Sequence, residues 1–281
     1  MISVAIVRDM FAGRQMARVM STVMTVFIAV PIFAPSVGQA LAQIGNWRWK
    51  FYVLLSAGLI GMVWAGYRFS ETSRPPGPAM LGFIDGLRAV LRNRVTLGYT
   101  IASGFMFACL VSYISSAQQI FVDVYGLGQL FPVMFGALAC SLAVASFTNA
   151  RLVQRLGMRR ASQSALIALI AVSLAMSLAS IAGRPTLLVF GPLMAGAFFC
   201  FGLIFANFNA IAMQPMAHVA GTAASLIGFF STMTGASLGW FVGRMFDGTV
   251  RPISIGFLLL GIAAFVCVLA VEGRKGLLKG E

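Results

Sequence analysis

The sequence predicts an all-α polytopic membrane protein, and two observations carry that prediction. Hydrophobic residues make up 59% of the 281 residues, charged residues make up 10%, and the mean hydropathy is +0.92. Soluble domains carry about 25% charged residues because their surfaces must be hydrated. The charges also fall in short clusters between apolar runs, and a run of about 20 residues is long enough to cross a bilayer. This composition excludes a soluble enzyme, a disordered tail, a collagen and a disulfide scaffold.

The net charge of +13 does not indicate a nucleic-acid partner, because the basic residues flank apolar runs as residues at a membrane surface do. All four cysteines lie inside apolar runs without CxxC spacing. That placement is typical of small buried side chains rather than of metal ligands or disulfides. The lipid bilayer is therefore the partner that the composition requires, and neither metal nor nucleic acid is expected.

Charge-free stretches define eight spans, of which the first five lie within 18–50, 50–68, 94–123, 123–151 and 160–184. The stretch 184–244 is too long for one helix, and the proline-containing polar segment 214–218 divides it into two spans. The eighth span lies within 251–272. Residues 2–11 form an apolar stub too short to cross a membrane. We interpret the stub either as a frayed terminus or as the last turns of a helix.

Lys and Arg are unevenly distributed between the two sets of span ends. One set, here named the basic end, holds fifteen of them: Arg8, Arg14, Arg18, Arg68, Arg74, Arg88, Arg92, Arg94, Arg151, Arg155, Arg159, Arg160, Arg274, Lys275 and Lys279. The opposite end holds the other five: Arg48, Lys50, Arg184, Arg244 and Arg251. Basic residues concentrate on the cytoplasmic side of membrane proteins, so we expect a cytoplasmic C-terminus.

One long connection, 68–94, separates the first two spans from the last six. Its segment 74–78 reads RPPGP and cannot be helical, whereas 83–91 is basic and amphipathic. We expect 83–91 to form an interfacial cytoplasmic helix. The predicted organisation is therefore 1–67, 68–94 and 95–281.

The supply of catalytic side chains is small. His218 is the only histidine and lies at the predicted helix break, and no Asp or Glu is expected in the middle of a span. A catalytic or metal site needs several such groups close together. A protein with many membrane helices and so few catalytic side chains is more typical of a transporter. No enzyme activity is therefore expected.

Uncharged polar residues occur at two places within the spans. Tyr113, Ser116 and the Gln119–Ile120 pair are spaced to share one helix face, and Asn207 and Asn209 lie deep in the sixth span. An amide left unpaired at that depth costs free energy. These residues either line a substrate cavity or form hydrogen bonds that hold helices together. The sequence leaves both interpretations open.

A glycine recurs at every fourth residue in the seventh span, at Gly235, Gly239 and Gly243. The spacing places a glycine stripe on one helix face, where another backbone can come close. We expect close packing there; sliding of the two helices during a conformational change is a role that the spacing does not show.

Helix-bending residues occur in the first span, at Pro31, Ala34, Pro35 and Gly38. Each proline removes a backbone donor and favours a bend, which buried membrane helices tolerate. Such bends are common in gates.

Several stretches, taken in order, are similar to one known family: AIVRDMFAGRQMARVMS at 5–21, the proline segment at 30–38, GNWRWKFY at 45–52, NARLVQRLGMRR at 149–160, HVAGTAASLIGFF at 218–230 and GRMFDGT at 243–249. They resemble the major facilitator superfamily, and within it the Bcr/CflA group of bacterial drug-resistance proton antiporters. The resemblance implies a partial major facilitator fold. Residues 1–67 would hold the end of helix four and helices five and six, 68–94 the central linker, and 95–281 the complete second six-helix bundle.

The resemblance also implies roles for particular residues. Arg8 and Asp9 match the group's pair at the inner end of helix four and would hold the inward gate. The segment 30–38 is similar to the antiporter motif of helix five. The cytoplasmic loop between helices eight and nine would be formed by Asn149, Arg151, Arg155, Gly157, Arg159 and Arg160.

The function that the resemblance implies is multidrug efflux across the bacterial inner membrane, by alternating access and in exchange for protons. The substrate would be a small hydrophobic or cationic drug, the proton gradient the energy source, and neither a cofactor nor a protein partner is required. The family's membrane acid in the first bundle has no counterpart here, so we expect an N-terminally truncated form. The alternatives are a non-transporting remnant and a membrane subunit completed by a partner chain.

Overall fold

The computed structural model describes residues 34, 36–41, 43–68 and 83–276, and the chain divides into two compact units, Met1–Met80 and Leu81–Glu281. In the described part of the first unit, residues 36–41 are helical and helix α1 spans Arg48–Arg68. No residue of α1 is buried. A helix that is apolar on all sides belongs in an apolar environment such as lipid.

Within its described residues, the second unit contains seven α-helices: α2 (Phe83–Arg92), α3 (Arg94–Gln118), α4 (Phe131–Leu156), α5 (Met158–Ala182), α6 (Leu187–Met213), α7 (Ala220–Arg244) and α8 (Arg251–Gly276). A π-helical turn, Gln119–Val124, continues α3, and 3₁₀ turns precede α4 at Gly128–Leu130 and α7 at Gln214–Val219.

The all-α membrane prediction is confirmed. In the part of the chain that the structure describes, seven helices are long and apolar enough to cross a membrane. They correspond to the second through eighth predicted spans, while most of the first predicted span lies outside the described residues. The predicted break at 214–218 is also confirmed, because Met216 leaves helical geometry within the Gln214–Val219 turn.

Helix α3 lies in the middle of the second unit and contacts α6, α7 and α8. Small residues allow this close packing. A Cβ atom at Gly98 would meet the side chain of Val271 in α8, and one at Gly104 would meet Thr234 in α7. The bundle core therefore depends on positions where a glycine of α3 leaves room for a side chain of the neighbouring helix.

Three hydroxyl groups in α3 donate hydrogen bonds to carbonyl oxygens of the same helix. Thr100 donates to the carbonyl oxygen of Thr96 over 2.6 Å, Ser112 to that of Cys109 over 2.9 Å, and Ser116 to that of Ser112 over 2.8 Å. Serine and threonine can bond in this way to the carbonyl one turn earlier. These polar side chains therefore fit an apolar bundle without exposing an unpaired hydroxyl.

The linker helix α2 packs against α7. A Cβ atom at Gly86 would lie against the side chain of Thr222, and Val90 is buried. The other side of α2 is exposed and carries Ile84, Arg88, Leu91 and Arg92. The helix thus has the amphipathic character that the sequence indicates for 83–91, with its buried side facing α7.

Candidate substrate cavity and basic-end contacts

Tyr113 lies in an aromatic environment between three helices. Its ring centroid is 4.6 Å from that of Phe198 in α6 and 5.3 Å from that of Phe135 in α4, and the residue is 1% exposed. The Tyr113 hydroxyl is buried and has no hydrogen-bond partner within the described residues. A buried polar group without a partner costs about 1–3 kcal/mol. The hydroxyl therefore has hydrogen-bonding capacity that no described residue uses.

Aromatic rings continue from Tyr113 along the contact between α3 and α6. Phe198 lies 6.5 Å from Phe201, which stacks on Phe205 at 5.4 Å, and Phe205 stacks on Phe107 of α3 at 6.1 Å. We name these five side chains the aromatic seam. Sequence reasoning missed the phenylalanines because phenylalanine is common in any membrane helix. The spacing of three and four residues between 198, 201 and 205 was the available signal.

The other residues of the predicted Tyr113 face separate in the structure. Ser116 is buried and bonds within its own helix, whereas Gln119 is exposed and Ile120 is buried. Ile120 rather than Gln119 thus continues the buried face of Tyr113. Gln119 begins the π-helical turn, in which the Tyr125 amide donates to the carbonyl oxygen of Ile120 over 3.1 Å.

Asn207 and Asn209 differ in their hydrogen bonds. Asn207 is buried, and its side-chain nitrogen donates to the Asn149 Oδ1 atom in α4 over 2.6 Å and to the carbonyl oxygen of Leu203 over 2.8 Å. Asn209 is half-buried and donates to the carbonyl oxygen of Phe205 within its own helix, over 2.8 Å. Asn207 therefore connects two helices, as the helix-packing interpretation expects, and contacts a residue of the predicted loop motif.

The three glycines of the predicted stripe face α3. Cβ atoms at Gly235, Gly239 and Gly243 would lie 2.5 Å from Phe107, 2.6 Å from Val111 and 2.7 Å from Ser115, respectively. The contacted residues in α3 are also four apart, so the two helices pack in register along two turns. At Gly239 the carbonyl oxygen of Ala108 would be only 2.8 Å away, which shows that backbone meets backbone there.

At the basic end, a single residue connects α4 to α5. Gly157 has φ 78°, a left-handed backbone conformation that glycine adopts without strain. Around it, Arg151, Arg155 and Arg160 are exposed. The turn therefore presents three cations at the ends of the two helices.

Arg159 differs from these neighbours because it points to an acid. Its guanidinium donates to the Glu272 carboxylate of α8 over 2.7 Å, and the Tyr99 hydroxyl of α3 donates to the same carboxylate over 3.0 Å. The Glu272 side chain is 7% exposed. In the sequence, Glu272 is notable only as the boundary of the last span. The available signal was its position, because an acid among many basic residues at one end of the spans is expected to pair with one of them.

Several candidate residues fall at the edge of the described chain. Arg8, Asp9, Pro31 and Pro35 lie outside the described residues. Ala34 and Gly38 are described and helical, and a Cβ atom at Gly38 would meet no other atom within 4 Å.

The described residues contain no cluster of three or more His, Cys, Asp or Glu side chains that can hold a metal ion. Cys109, Cys140, Cys200 and Cys267 are free thiols. Among its described residues, the second unit thus brings together hydroxyls, amides and the Arg159–Glu272 ion pair. They can bind, orient and pack, and they offer no obvious nucleophile–base pair.

Comparison with known proteins identifies the family to which this bundle of helices is similar. A family model described as Major Facilitator Superfamily matches residues 1–239. The chain is 28% identical to a bicyclomycin resistance protein homolog of Haemophilus influenzae, over 96% of this chain and 68% of that protein. It is 25% identical to the multidrug resistance protein MdtL of Shewanella oneidensis, over 95% of this chain and 67% of that protein.

Two further relatives are matched over a smaller share of their own length than the first two. An uncharacterized MFS-type transporter, YdgK of Bacillus subtilis, is 26% identical over 86% of this chain and 61% of that protein. The chloramphenicol resistance protein CraA of Acinetobacter baumannii is 26% identical over 50% of this chain and 36% of that protein. The chain therefore spans about two thirds or less of the length of these relatives.

Proposed function

This chain belongs to the Major Facilitator Superfamily, and we propose that it acts in multidrug efflux, exchanging small hydrophobic or cationic drugs for protons across the bacterial inner membrane. The observation that carries this proposal is similarity along almost the whole chain to proteins whose names state resistance to drugs. The chain is a multi-pass membrane protein, and its family indicates a transporter rather than an enzyme.

In this proposal, the second unit contributes the aromatic seam as its drug-contacting surface. Tyr113 supplies one hydroxyl without a partner in an otherwise apolar setting, and Phe107 and Phe205 are partly exposed. Drug-binding pockets are mostly apolar with a few polar groups that fix orientation. Two polar side chains near the seam are accessible: Gln119 follows Tyr113 and is exposed, and Asn209 follows Phe205 and is half-buried.

The helix contacts would serve alternating access. At the glycine stripe, α7 has no side chains of its own between it and α3, so the two helices pack closely and would move as one body within the bundle. The ion pair between Arg159 and Glu272 would hold α5 and α8 together at the basic end, which we propose to be cytoplasmic. The loop residues Arg151, Arg155 and Arg160, together with Arg8 and Asp9, would contribute to the inward gate.

We further propose that 95–281 is the second bundle of the transporter, 68–94 its central linker and 1–67 the end of its first bundle.

Drug and proton movement can be tested together in everted membrane vesicles. The chain is expressed from its own gene in a host that lacks its major drug pumps, and a pH gradient is established and followed with acridine orange. Adding chloramphenicol or ethidium should partly collapse the gradient, because protons leave the vesicle as the drug enters it.

The matched variants are Tyr113→Ala and Tyr113→Phe at equal protein level. Alanine removes the ring from the aromatic seam and should abolish drug-dependent proton movement, whereas phenylalanine keeps the ring and should retain it for at least one drug. If the parent chain inserts normally but no tested drug changes the gradient, proton-coupled efflux is the wrong function.

A further inference from the structure

A small cavity lies at the opposite end of the second unit, away from the aromatic seam and from the basic end. Its volume is about 190 Å³, and it is bounded by residues from three places: the end of the π-helical turn, the α5–α6 connection and the α7–α8 connection. The lining residues are Val124, Ser180, Gly183, Arg184, Pro185, Gly248, Thr249, Val250 and Arg251. Drug-sized pockets occupy about 300–1,000 Å³, so this cavity suits a smaller group.

Two guanidinium groups are held at the cavity by their contacts. The Arg251 Nε atom donates to the carbonyl oxygen of Ser180 over 2.8 Å, which joins the start of α8 to the end of α5. The Arg184 guanidinium lies over the Tyr125 ring at 5.7 Å, and the Tyr125 hydroxyl donates to the carbonyl oxygen of Pro185 over 3.1 Å. The Ser180 carbonyl oxygen thus positions the Arg251 side chain, and the Tyr125 ring positions that of Arg184.

The two arginines keep most of their hydrogen-bonding capacity. A guanidinium has five N–H donors, and within the described residues Arg251 uses one of them while Arg184 uses none. The lining residues include no acid. Asp247 is not among the lining residues; its Oδ1 atom accepts from the amide of Thr249 over 3.0 Å and from the Thr249 hydroxyl over 2.6 Å, and its carboxylate interacts electrostatically with Arg251. The cavity lining therefore carries two positive charges and no carboxylate, with one carboxylate outside it.

The chemistry of such a cavity selects a compact anion with several acceptor oxygens. Arginine binds phosphate through parallel N–H···O bonds, and α8 begins at this cavity, so that its positive N-terminal end adds to the field. The site also lies at the ends of membrane spans, where phospholipid headgroups are found. Basic pockets between membrane helices bind such headgroups in other proteins.

We propose that this cavity binds the phosphate group of an anionic phosphate ester between Arg184 and Arg251. The ester is either the headgroup of a phospholipid or a small soluble molecule, since both present the same oxygens. Binding would tie the α5–α6 connection to the α7–α8 connection, and it is independent of the drug-contacting role proposed for the aromatic seam.

The test uses the full chain purified in a neutral detergent and phosphate-free buffer. Phosphatidylglycerol, glycerol 3-phosphate and dioleoylglycerol are each titrated, and binding is followed by native mass spectrometry and by the shift in melting temperature. The double variant Arg184→Gln/Arg251→Gln is compared with Arg244→Gln. Arg244 lies at the same end of the protein, contacts the Trp240 ring at 5.3 Å and does not line the cavity.

We expect the double variant to lose about tenfold or more in affinity, which is about 1.4 kcal/mol or more, while Arg244→Gln stays close to the parent chain. Phosphatidylglycerol binding alone identifies a lipid site, and glycerol 3-phosphate binding identifies a soluble ester. The proposal fails if neither phosphate ester binds, if dioleoylglycerol binds as well as phosphatidylglycerol, or if Arg244→Gln loses as much as the double variant. Should the double variant not fold, Arg184→Gln serves alone, because within the described residues that side chain lies over the Tyr125 ring and donates no hydrogen bond.

Discussion

Arg159 and Glu272 form an ion pair of 2.7 Å that joins the first turn of α5 to the last turns of α8. The same carboxylate accepts a hydrogen bond from Tyr99 over 3.0 Å, so a third helix, α3, enters the contact. These residues are 113 and 173 positions from Glu272 in the chain. One acid thus fixes the basic ends of three helices.

Replacing this acid should destabilise the protein. Glu272→Gln leaves the Arg159 guanidinium without its charged partner in a site where the carboxylate is largely buried. The expected loss is about 1–3 kcal/mol, seen as a lower melting temperature of the detergent-solubilised chain. Asp123→Asn, at an exposed position, is the control and should have little effect. The double variant Arg159→Gln/Glu272→Gln should lose less than the sum of the single losses; additive losses would mean that the pair is not coupled.

The α3–α7 contact should not tolerate one added methyl group. A Cβ atom at Gly239 would lie 2.8 Å from the backbone oxygen of Ala108, which cannot move aside as a flexible side chain can. We expect Gly239→Ala to cost about 1–3 kcal/mol and to lower the yield of folded protein. Gly221→Ala, in the same helix with open space around the added atom, should be neutral or stabilising. Equal melting temperatures for the two variants would contradict the close approach.

The two asparagines at 149 and 207 should act as a pair. Their side chains share a 2.6 Å hydrogen bond between α4 and α6, so Asn207→Ala and Asn149→Ala remove the same interaction. Hydrogen bonds between membrane helices contribute about 0.6–1.7 kcal/mol, and a double-mutant cycle measured by unfolding should give a coupling of that size. Fully additive effects, with an altered drug spectrum in each single variant, would instead favour a cavity-lining role for Asn207.

Removing the Tyr113 hydroxyl should not weaken the fold. Its oxygen is buried without a partner in the described residues, so Tyr113→Phe removes an unsatisfied polar group and keeps the ring contacts. We expect the melting temperature to stay level or rise, whereas Tyr113→Ala should lower it by leaving a cavity that costs about 3–5 kcal/mol. If Tyr113→Phe is as unstable as Tyr113→Ala, the hydroxyl has a structural partner and the drug-contacting role loses its support.

The loop between α7 and α8 should depend on pH through Asp247. Hydrogen bonds from Thr249, above all from its hydroxyl, lower the pKa of the Asp247 carboxyl. Because the folded-state pKa is depressed, this stabilisation is present above the unfolded-state pKa of about 3.9 and is lost as the pH falls through the lower folded value. Asp247→Ala should therefore melt below the parent chain at neutral pH, and the two curves should converge in acid. A constant difference across that range would show that the charge of Asp247 is not involved.

Much of the fold follows from local chemistry. The apolar runs between charge clusters predict the second through eighth spans, and Pro215 with its polar neighbours predicts the break that the Gln214–Val219 turn provides. The glycine spacing in α7 predicts a face for close packing, although not which helix would occupy it. These features depend on a few adjacent residues, so the amino-acid order is sufficient to reveal them.

The candidate site was less accessible to sequence reasoning. Tyr113 and Ser116 are buried where the helical period places them, but Gln119 is exposed and Ile120 takes its place on that face. The Phe198–Phe201–Phe205 row could not be identified from the sequence. The chain is rich in phenylalanine, so a periodic row of phenylalanines does not distinguish a site from the rest of a membrane helix. Likewise, Asn207 offered two interpretations until its partner Asn149 was known.

By itself, the sequence determined the class of protein, the number and limits of most spans and the family resemblance. These properties rest on hydropathy over about 20 residues and on short motifs. The tertiary structure alone decided which polar groups come together: Asn207 bonds to Asn149, Arg159 pairs with Glu272, and Arg184 and Arg251 line one cavity. The reason is physical, since these contacts lie between helices, and the side-chain partners across a helix interface are set by how whole helices pack rather than by any local pattern.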